Sequence, residues 1–228
     1  MKLPSEGRGK VLPTELFEAP RVVFHLFGIP ITETVRNGWL VMGGILVIAF
    51  IVTRRLNDVP SKLQAAVELL VEGLHGLVAS NMSGVGKGFV KYFGALMLYL
   101  YLANISGLFG IRPPTGDINV TVSLALFTFV INHYMGLKAN GLGYIKGFFE
   151  PLPLTPLNIL GELARPVSLS LRLFGNILGG TLLGAMVFSL VPIVLPAALS
   201  LYFDLVSGLI QAFIFTMLSM TFIALAME

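Results

Sequence analysis

The sequence predicts an all-α integral membrane protein with about five transmembrane helices and one interfacial amphipathic helix. The first observation is composition: the 228 residues are 55% hydrophobic and 12% charged, with a mean hydropathy of +0.86. Soluble domains carry about 25% charged residues. The second observation is that the charges are spaced to leave uncharged runs long enough to cross a bilayer. Lipid must therefore serve as the solvent for much of this chain.

Composition also argues against several kinds of site. The net charge of +3 is small and spread along the chain, which argues against a nucleic-acid partner. There are no cysteines, so disulfides, thiolate metal sites and thiol nucleophiles are absent. The glycine-rich residues 84–88 lack the spacing and the Ser or Thr of a phosphate loop, and three dispersed histidines do not predict a metal site: His25, His75 and His133. We predict no cofactor, metal, nucleotide or catalytic site on this chain.

Residues 1–36 carry charges throughout and lack an apolar run of signal-peptide length. We expect them to be retained as an extracytoplasmic segment before a single membrane domain, residues 37–228. The first span is predicted at about 38–53, because 17 uncharged residues separate Arg36 from Arg54. That length just crosses about 30 Å of hydrocarbon.

An amphipathic helix is predicted at about 61–80. Ser61 to Gln64 form a capping-box pattern, and apolar residues follow at helical spacing as far as Val78. The opposite face carries polar and charged side chains: Lys62, Glu68, Glu72 and His75. We place this helix in the membrane interface, and packing against a partner helix is the alternative.

A transmembrane hairpin is predicted next, with spans at about 92–111 and 118–137 joined by a turn at 112–117. Residues 138–156 contain glycines and several prolines, which limit helix continuation, and are predicted as a polar loop.

The last two spans, about 157–190 and 197–227, are predicted to be long and strongly tilted. Residues 173–203 form an uncharged run of 31 residues, divided by Pro192 and Pro196. A helix over 197–227 would be roughly 46 Å long, against about 30 Å of hydrocarbon. Its excess residues are apolar, which favours tilt within the membrane over protrusion into water.

Basic residues near the span ends predict the orientation. The larger group is expected to face the cytoplasm: Arg54, Arg55, Lys62, Lys87, Lys91, Lys138 and Lys146. The opposite side has Arg21, Arg36 and Arg112. Five crossings then place the N-terminus outside and the C-terminus in the cytoplasm.

The most informative residue is Arg172, an arginine followed by that 31-residue uncharged run. A guanidinium near the centre of a bilayer costs from about 3 to more than 10 kcal/mol, so such residues usually face a cavity or a partner. Snorkelling to the headgroups remains an alternative from spacing alone. Arginine stays protonated and has no acceptor, so it cannot relay protons and acts as a fixed charge.

Polar and small residues accompany this arginine. Asn176 lies one turn after it, and the last predicted helix carries Asp204, Ser207 and Gln211 near one another at helical spacing. Asp204 is the only acid between Glu162 and Glu228, so the counter-charge of Arg172 is expected from another chain. Glycines at 175, 179, 180 and 184 form small-xxx-small patterns that allow close helix packing, either static or moving.

The runs 168–176 (SLSLRLFGN) and 211–218 (QAFIFTML) resemble the a subunit of F-type ATP synthases, and so do 112–115 and 117–121. The resemblance covers nearly the whole chain and is closest to bacterial members. It implies a stator subunit in the membrane sector of a rotary ATP synthase, with a c-subunit ring, peripheral-stalk b subunits and the rest of the complex as partners. It also implies two offset half-channels for H⁺ or Na⁺.

Carried over residue by residue, the resemblance makes Arg172 the essential charge facing the ring carboxylates. Asn176 and Gln211 would be its neighbours, and Asp204 would line the outward-facing half-channel near Ser207. Many members have glutamate where this chain has Thr181, and some have histidine in place of Asp204. A free-standing ion channel or secondary transporter is the alternative, although such transporters often show two related halves, which this sequence lacks.

Overall fold

The computed structural model describes residues 21–26, 28–54, 61–82, 88–149, 152–188 and 194–227. Most of the predicted N-terminal segment, the glycines at 84 and 86, and the predicted helix break at Pro192 lie outside the described residues. Five helices are long and apolar enough to cross a membrane in this part of the chain: Glu33–Thr53, Val90–Phe109, Ile118–Asn140, Thr155–Val187 and Ala197–Met227. The predicted all-α membrane class is confirmed.

A small β-hairpin precedes the first helix and was not predicted. Its strands are β1 (Val22–Leu26) and β2 (Ile29–Thr32), which pair antiparallel with Phe24 opposite Ile31. Gly28 has a φ of +82°, a conformation that glycine adopts without steric cost. The signal in the sequence was a short β-branched run on either side of this glycine.

Helix α1 (Glu33–Thr53) begins five residues before the predicted span, and α2 (Lys62–Asn81) matches the predicted amphipathic helix. The hydroxyl of Ser61 accepts a hydrogen bond from the Gln64 amide at 3.4 Å, so the predicted cap is present. The placement of α2 in the membrane interface stays a prediction.

The hairpin consists of α3 (Val90–Ile105), extended by a 3₁₀ turn at Ser106–Phe109, and α4 (Ile118–Asn140). Asp117 caps α4 by accepting from the Asn119 amide at 2.9 Å. The predicted loop at 138–156 was partly wrong, because α5 (Leu142–Phe149) forms within it. Gly141, at a φ of +56°, ends α4 and allows the chain to turn into α5.

Helix α6 (Thr155–Phe188) is continuous through Pro166. The last span combines α7 (Val194–Ser200), a π-helix at Leu201–Ser207, and α8 (Gly208–Met227). The core lies where α3, α4, α6 and α8 meet, and it contains fully buried apolar side chains: Phe93, Leu100, Ala125, Leu173, Ala212 and Ile223. The strong tilt predicted for the last two helices stays a prediction.

Candidate functional site

Arg172 lies on the part of α6 that does not enter the core. Its neighbours Leu169 and Leu173 are buried, and they fix one face of α6 against the helix bundle. The Arg172 side chain is exposed and forms no hydrogen bond or ion pair with the residues that the structure describes. Packing therefore anchors the helix while the guanidinium is presented outward.

Helix α6 and the last span run antiparallel beside this arginine. The Ser207 hydroxyl donates to Asn176 Oδ1 at 2.5 Å, and Gly180 packs against Phe203, where an added Cβ would lie 2.9 Å from the ring's Cγ. Asn176 thus lies opposite Ser207, and Gly180, four residues later on α6, lies opposite Phe203, four residues earlier on the last span. A further step of four residues in the other direction places Arg172 opposite Gln211.

The two amides beside Arg172 each have an unused donor. Because Asn176 Oδ1 accepts from Ser207, its Nδ2 points elsewhere, and this buried Nδ2 has no acceptor among the described residues. Gln211 is 7% exposed, and its Nε2 also lacks an acceptor there. Buried donors are normally hydrogen-bonded, and leaving one unpaired costs about 1–3 kcal/mol. The exposed positive charge makes this face complementary to an anion, and the two unused donors lie buried beside it.

Asp204 lies in the π-helix, half-buried against the 3₁₀ turn that ends α3. A Cβ added at Gly107 would lie 2.8 Å from Asp204 Oδ2, so the carboxylate occupies the space that a side chain at 107 would take. Thr181 is exposed on α6, and its hydroxyl donates to the Ile177 carbonyl of the same helix at 2.6 Å. The structure thus places Ser207 with Asn176, and Asp204 a turn away against α3.

A second polar cluster surrounds Glu162 and was missed by the sequence analysis. The Glu162 carboxylate is 8% exposed, accepts from Asn132 Nδ2 at 3.0 Å and lies 2.6 Å from Arg165 Nη1. His133 Nε2 is 4.0 Å from the same carboxylate. The signal in the sequence was the acid–base pair three residues apart on α6, which resembles an ordinary surface pair.

A cavity of about 780 Å³ opens beside this cluster, between α5, the start of α6 and the end of α8. It is lined by Tyr144, Asn158, Glu162 and Arg165 among others. Burial raises the pKa of the Tyr144 phenol, the Glu162 carboxylate raises it further, and the Arg165 guanidinium partly offsets both. Tyr144 therefore remains neutral and able to donate a hydrogen bond at physiological pH.

Comparison with known proteins decides the family. Residues 37–224 match the family model described as ATP synthase A chain. This chain belongs to that family.

Curated relatives agree with this assignment. The chain is 38% identical over 208 residues to ATP synthase subunit a of Moorella thermoacetica, covering 90% of this chain and 95% of that protein. It is 36% identical over 233 residues to a sodium-ion-specific ATP synthase subunit a of Propionigenium modestum, covering 93% and 81%. A Geobacter relative, also named ATP synthase subunit a, is 40% identical over 196 residues, covering 83% and 85%.

Membership in the ATP synthase A chain family confirms the predicted function class. The chain is a stator subunit of the F-type membrane sector, a multi-pass membrane protein whose partner is the rest of the ATP synthase. The roles of individual residues are a separate question, which the geometry around Arg172 addresses. No group of three or more His, Cys, Asp or Glu residues that could hold a metal ion occurs in the described ranges.

Proposed function

We propose that Arg172 faces the ion-carrying carboxylates of a c-subunit ring and separates two polar pathways by which ions reach and leave that ring. The observation that carries the proposal is the face shared by Arg172, Asn176 and Gln211. It presents a guanidinium and two buried amide nitrogens that have no acceptor among the described residues. The exposed guanidinium is available to a carboxylate from another chain, and the two amides beside it have hydrogen-bond donors that are not used within the described residues.

The chemistry of arginine supports a gate rather than a relay. The guanidinium holds its charge at every physiological pH and accepts no proton, so it cannot pass an ion along. An ionised ring carboxylate is attracted to it, while a free cation is repelled. Ions would therefore cross the membrane only while bound to the carboxylates of the rotating ring.

The two pathways would lie on either side of Arg172 along α6. Thr181 is nine residues after Arg172, a rise of about 13 Å, and it lies towards the end of the helix that meets the π-helix carrying Asp204. Glu162 is ten residues before Arg172, a rise of about 15 Å in the other direction, and it lines the open cavity. We assign the Asp204 side to the outer pathway and the Glu162 cavity to the cytoplasmic pathway.

The attraction between Arg172 and the ring must be modest. Each ion gains only about 2.3 kcal/mol per 100 mV of membrane potential, so a much deeper ion pair would stall rotation. Water in the two proposed pathways would screen the charges and keep the pairing shallow.

The remaining partners and the orientation are part of the same proposal. Helix α1 packs lightly and exposes large apolar side chains such as Leu46 at 70% and Ile51 at 66%, which suits contact with lipid or with the peripheral-stalk b subunits. The distribution of basic residues supports an outside N-terminus and a cytoplasmic C-terminus in a bacterial plasma membrane.

Disulfide cross-linking in the assembled complex tests the contact with the ring. This chain has no cysteine, and a Cβ at Gly175, three residues after Arg172, would meet no atom within 4 Å. We expect Gly175→Cys to cross-link to a cysteine placed beside the ring carboxylate. Gly44→Cys on α1, where a Cβ also meets nothing within 4 Å, is the matched control and should not. Absence of the Gly175 cross-link, or a purified particle without a ring, would contradict the proposal.

The coupling ion, H⁺ or Na⁺, would be selected mainly by the ring's own binding site. ATP synthesis measured against Na⁺ concentration with a protonophore present distinguishes the two. Synthesis that survives the protonophore and rises with Na⁺ identifies Na⁺ as the ion, and synthesis that collapses identifies H⁺.

A further inference from the structure

The π-helix at Leu201–Ser207 is held by a buried contact that no role assigned so far requires. Asn104, near the end of α3, is fully buried, and its Nδ2 donates to the Gly208 carbonyl at 3.1 Å. Gly208 is the residue at which the backbone changes from the π-helix to α8. A side chain of α3 is therefore hydrogen-bonded to the last span at the residue where the π-helix of that span ends and α8 begins.

Asn104 is itself fixed from the other side. Its Oδ1 accepts from the hydroxyl of Thr115 at 2.8 Å, and Thr115 is also fully buried. Glycine at 208 allows this close contact between α3 and the last span, because a Cβ there would lie 2.9 Å from the Asn104 Cβ. Both amide atoms of Asn104 are thus committed, one to the turn between α3 and α4 and the other to the last span.

The geometry of this region affects where two polar side chains point. A π-helix has a wider turn than an α-helix, and such turns are frequent at functional sites. One extra residue in a turn rotates the following side chains by about 100° relative to a continuous α-helix. Inside this segment, Asp204 lies over Gly107 and Ser207 reaches Asn176. A change in the π-helix would move both.

We infer that Asn104, supported by Thr115, is a positioning residue that holds the π-helix so that Asp204 stays in the space left open by Gly107. This inference rests on the proposed role of Asp204 in the outer pathway. Asn104 acts through the backbone of Gly208 and does not itself need to touch the ion. Gly107 completes the arrangement because any larger side chain would displace the carboxylate.

The test is a set of double-mutant cycles in the complete ATP synthase, reconstituted in vesicles and driven by an imposed ion gradient, with synthesis normalised to assembled complex. Gly107→Ala and Thr115→Val are each made with Asp204 present and in an Asp204→Asn background. Thr115→Val preserves shape but removes the donor to Asn104, and Thr115→Ser restores a hydroxyl. Gly73→Ala on α2, where a Cβ meets nothing within 4 Å, is the control for Gly107→Ala.

With Asp204 present, we expect Gly107→Ala and Thr115→Val each to slow synthesis about three- to tenfold, because small misplacements of a working group are costly. In the Asp204→Asn background each should cost less than about twofold more, since the group being positioned is gone. Thr115→Ser and Gly73→Ala should stay near the unmodified rate.

Equal losses in both backgrounds would overturn the inference, because they would show that the contacts act independently of Asp204. A harmful Asp204→Asn combined with harmless Gly107→Ala and Thr115→Val would also overturn it, while leaving the outer pathway standing. If Asp204→Asn leaves synthesis unchanged at every pH, the outer pathway itself is wrong, and the positioning role falls with it.

Discussion

Two arginines on α6 have opposite surroundings. Arg165 and Arg172 are two turns apart, so they lie within about 20° of one another around the helix. Arg165 lies 2.6 Å from Glu162 and stacks over the Phe222 ring of α8 at 4.9 Å. Arg172 is exposed and forms neither kind of contact within the described part of the chain.

The difference identifies which charge is available to a partner. Arg165 has its counter-charge on its own helix and neutralises the buried Glu162 carboxylate. Its guanidinium also stacks over Phe222 and so connects α6 to α8. Arg172 forms no ion pair with the described residues, and Asp204, the only acidic residue between Glu162 and Glu228, packs against Gly107. One arginine is therefore paired within this chain, and the other is available to the ring carboxylate that we propose as its partner.

The substitution Arg172→Ala tests the proposed role of Arg172 and should have the largest effect. We expect ion-driven ATP synthesis in reconstituted vesicles to fall at least about a hundredfold, equivalent to about 3 kcal/mol of barrier, because the variant lacks the fixed charge that we propose attracts the ring carboxylate. The detached soluble catalytic head should still hydrolyse ATP. Thermal unfolding of the isolated subunit in detergent should stay unchanged, since the side chain forms no hydrogen bond or ion pair with the described residues of its own chain. Normal synthesis would refute the role of Arg172.

The converse change, Arg165→Ala, should act on stability. It leaves the Glu162 carboxylate buried without its cation and removes the contact with Phe222. Removing one partner of a buried ion pair costs about 3–5 kcal/mol, and because the Arg165 side chain is 35% exposed we expect about 1–3 kcal/mol. The measurement is the melting temperature of the purified membrane sector, which should fall by several degrees.

Glu162→Gln in the Arg165→Ala background is the control for that prediction. It removes the unpaired charge and keeps an oxygen for the Asn132 amide to donate to, so it should recover part of the lost stability. A melting temperature that is equally low in the double variant would show that the loss comes from packing on Phe222 instead of from the uncompensated carboxylate.

A smaller effect is expected for Asp204→Asn, which tests whether Asp204 belongs to the pathway or is the missing partner of Arg172. An amide cannot titrate, so we expect a few-fold loss of synthesis that changes with the pH on the outer side. An unchanged pH profile would count against a pathway role. If Asp204 were instead the counter-charge of Arg172, removing both charges would restore synthesis, whereas we expect the double variant to remain inactive.

The two arginines also show how far the sequence predicts the molecule. Arg172 was identified because a charge beside a long uncharged run is conspicuous, and the five spans follow from the same spacing rule. Arg165 and Glu162 lie near the end of a span, where charges usually anchor a helix at the interface. Only tertiary packing brings Asn132 and His133 to Glu162, and no local pattern encodes that meeting.

The π-helix in the last span and the short helix α5 were not predicted from the sequence either. The π-helix at Leu201–Ser207 has the composition of an ordinary apolar helix, and the contacts that accompany it come from residues about a hundred positions away, such as Asn104. The helix α5 was missed because prolines and glycines around it indicated a loop, although its own residues are apolar on one side. Helix lengths are local properties, whereas these features depend on neighbours.

The smallest expected effect concerns Tyr144, whose phenol senses the charge of Arg165. Burial and Glu162 raise its pKa above the ordinary value of about 10, and Arg165 lowers it in part. Below about pH 10 the phenol is neutral in the folded and unfolded chain, so its contribution to stability is fully present there. As the pH rises further, the unfolded chain loses this proton first, and stability falls.

Tyr144→Phe should therefore flatten the decline of melting temperature between about pH 9 and 11. In the Arg165→Ala background the same substitution should flatten it more, because the guanidinium no longer offsets the raised pKa. If Tyr144→Phe flattens the decline equally with and without Arg165, then Arg165 does not act on Tyr144, and the contrast with Arg172 rests on the Glu162 pair and the Phe222 contact.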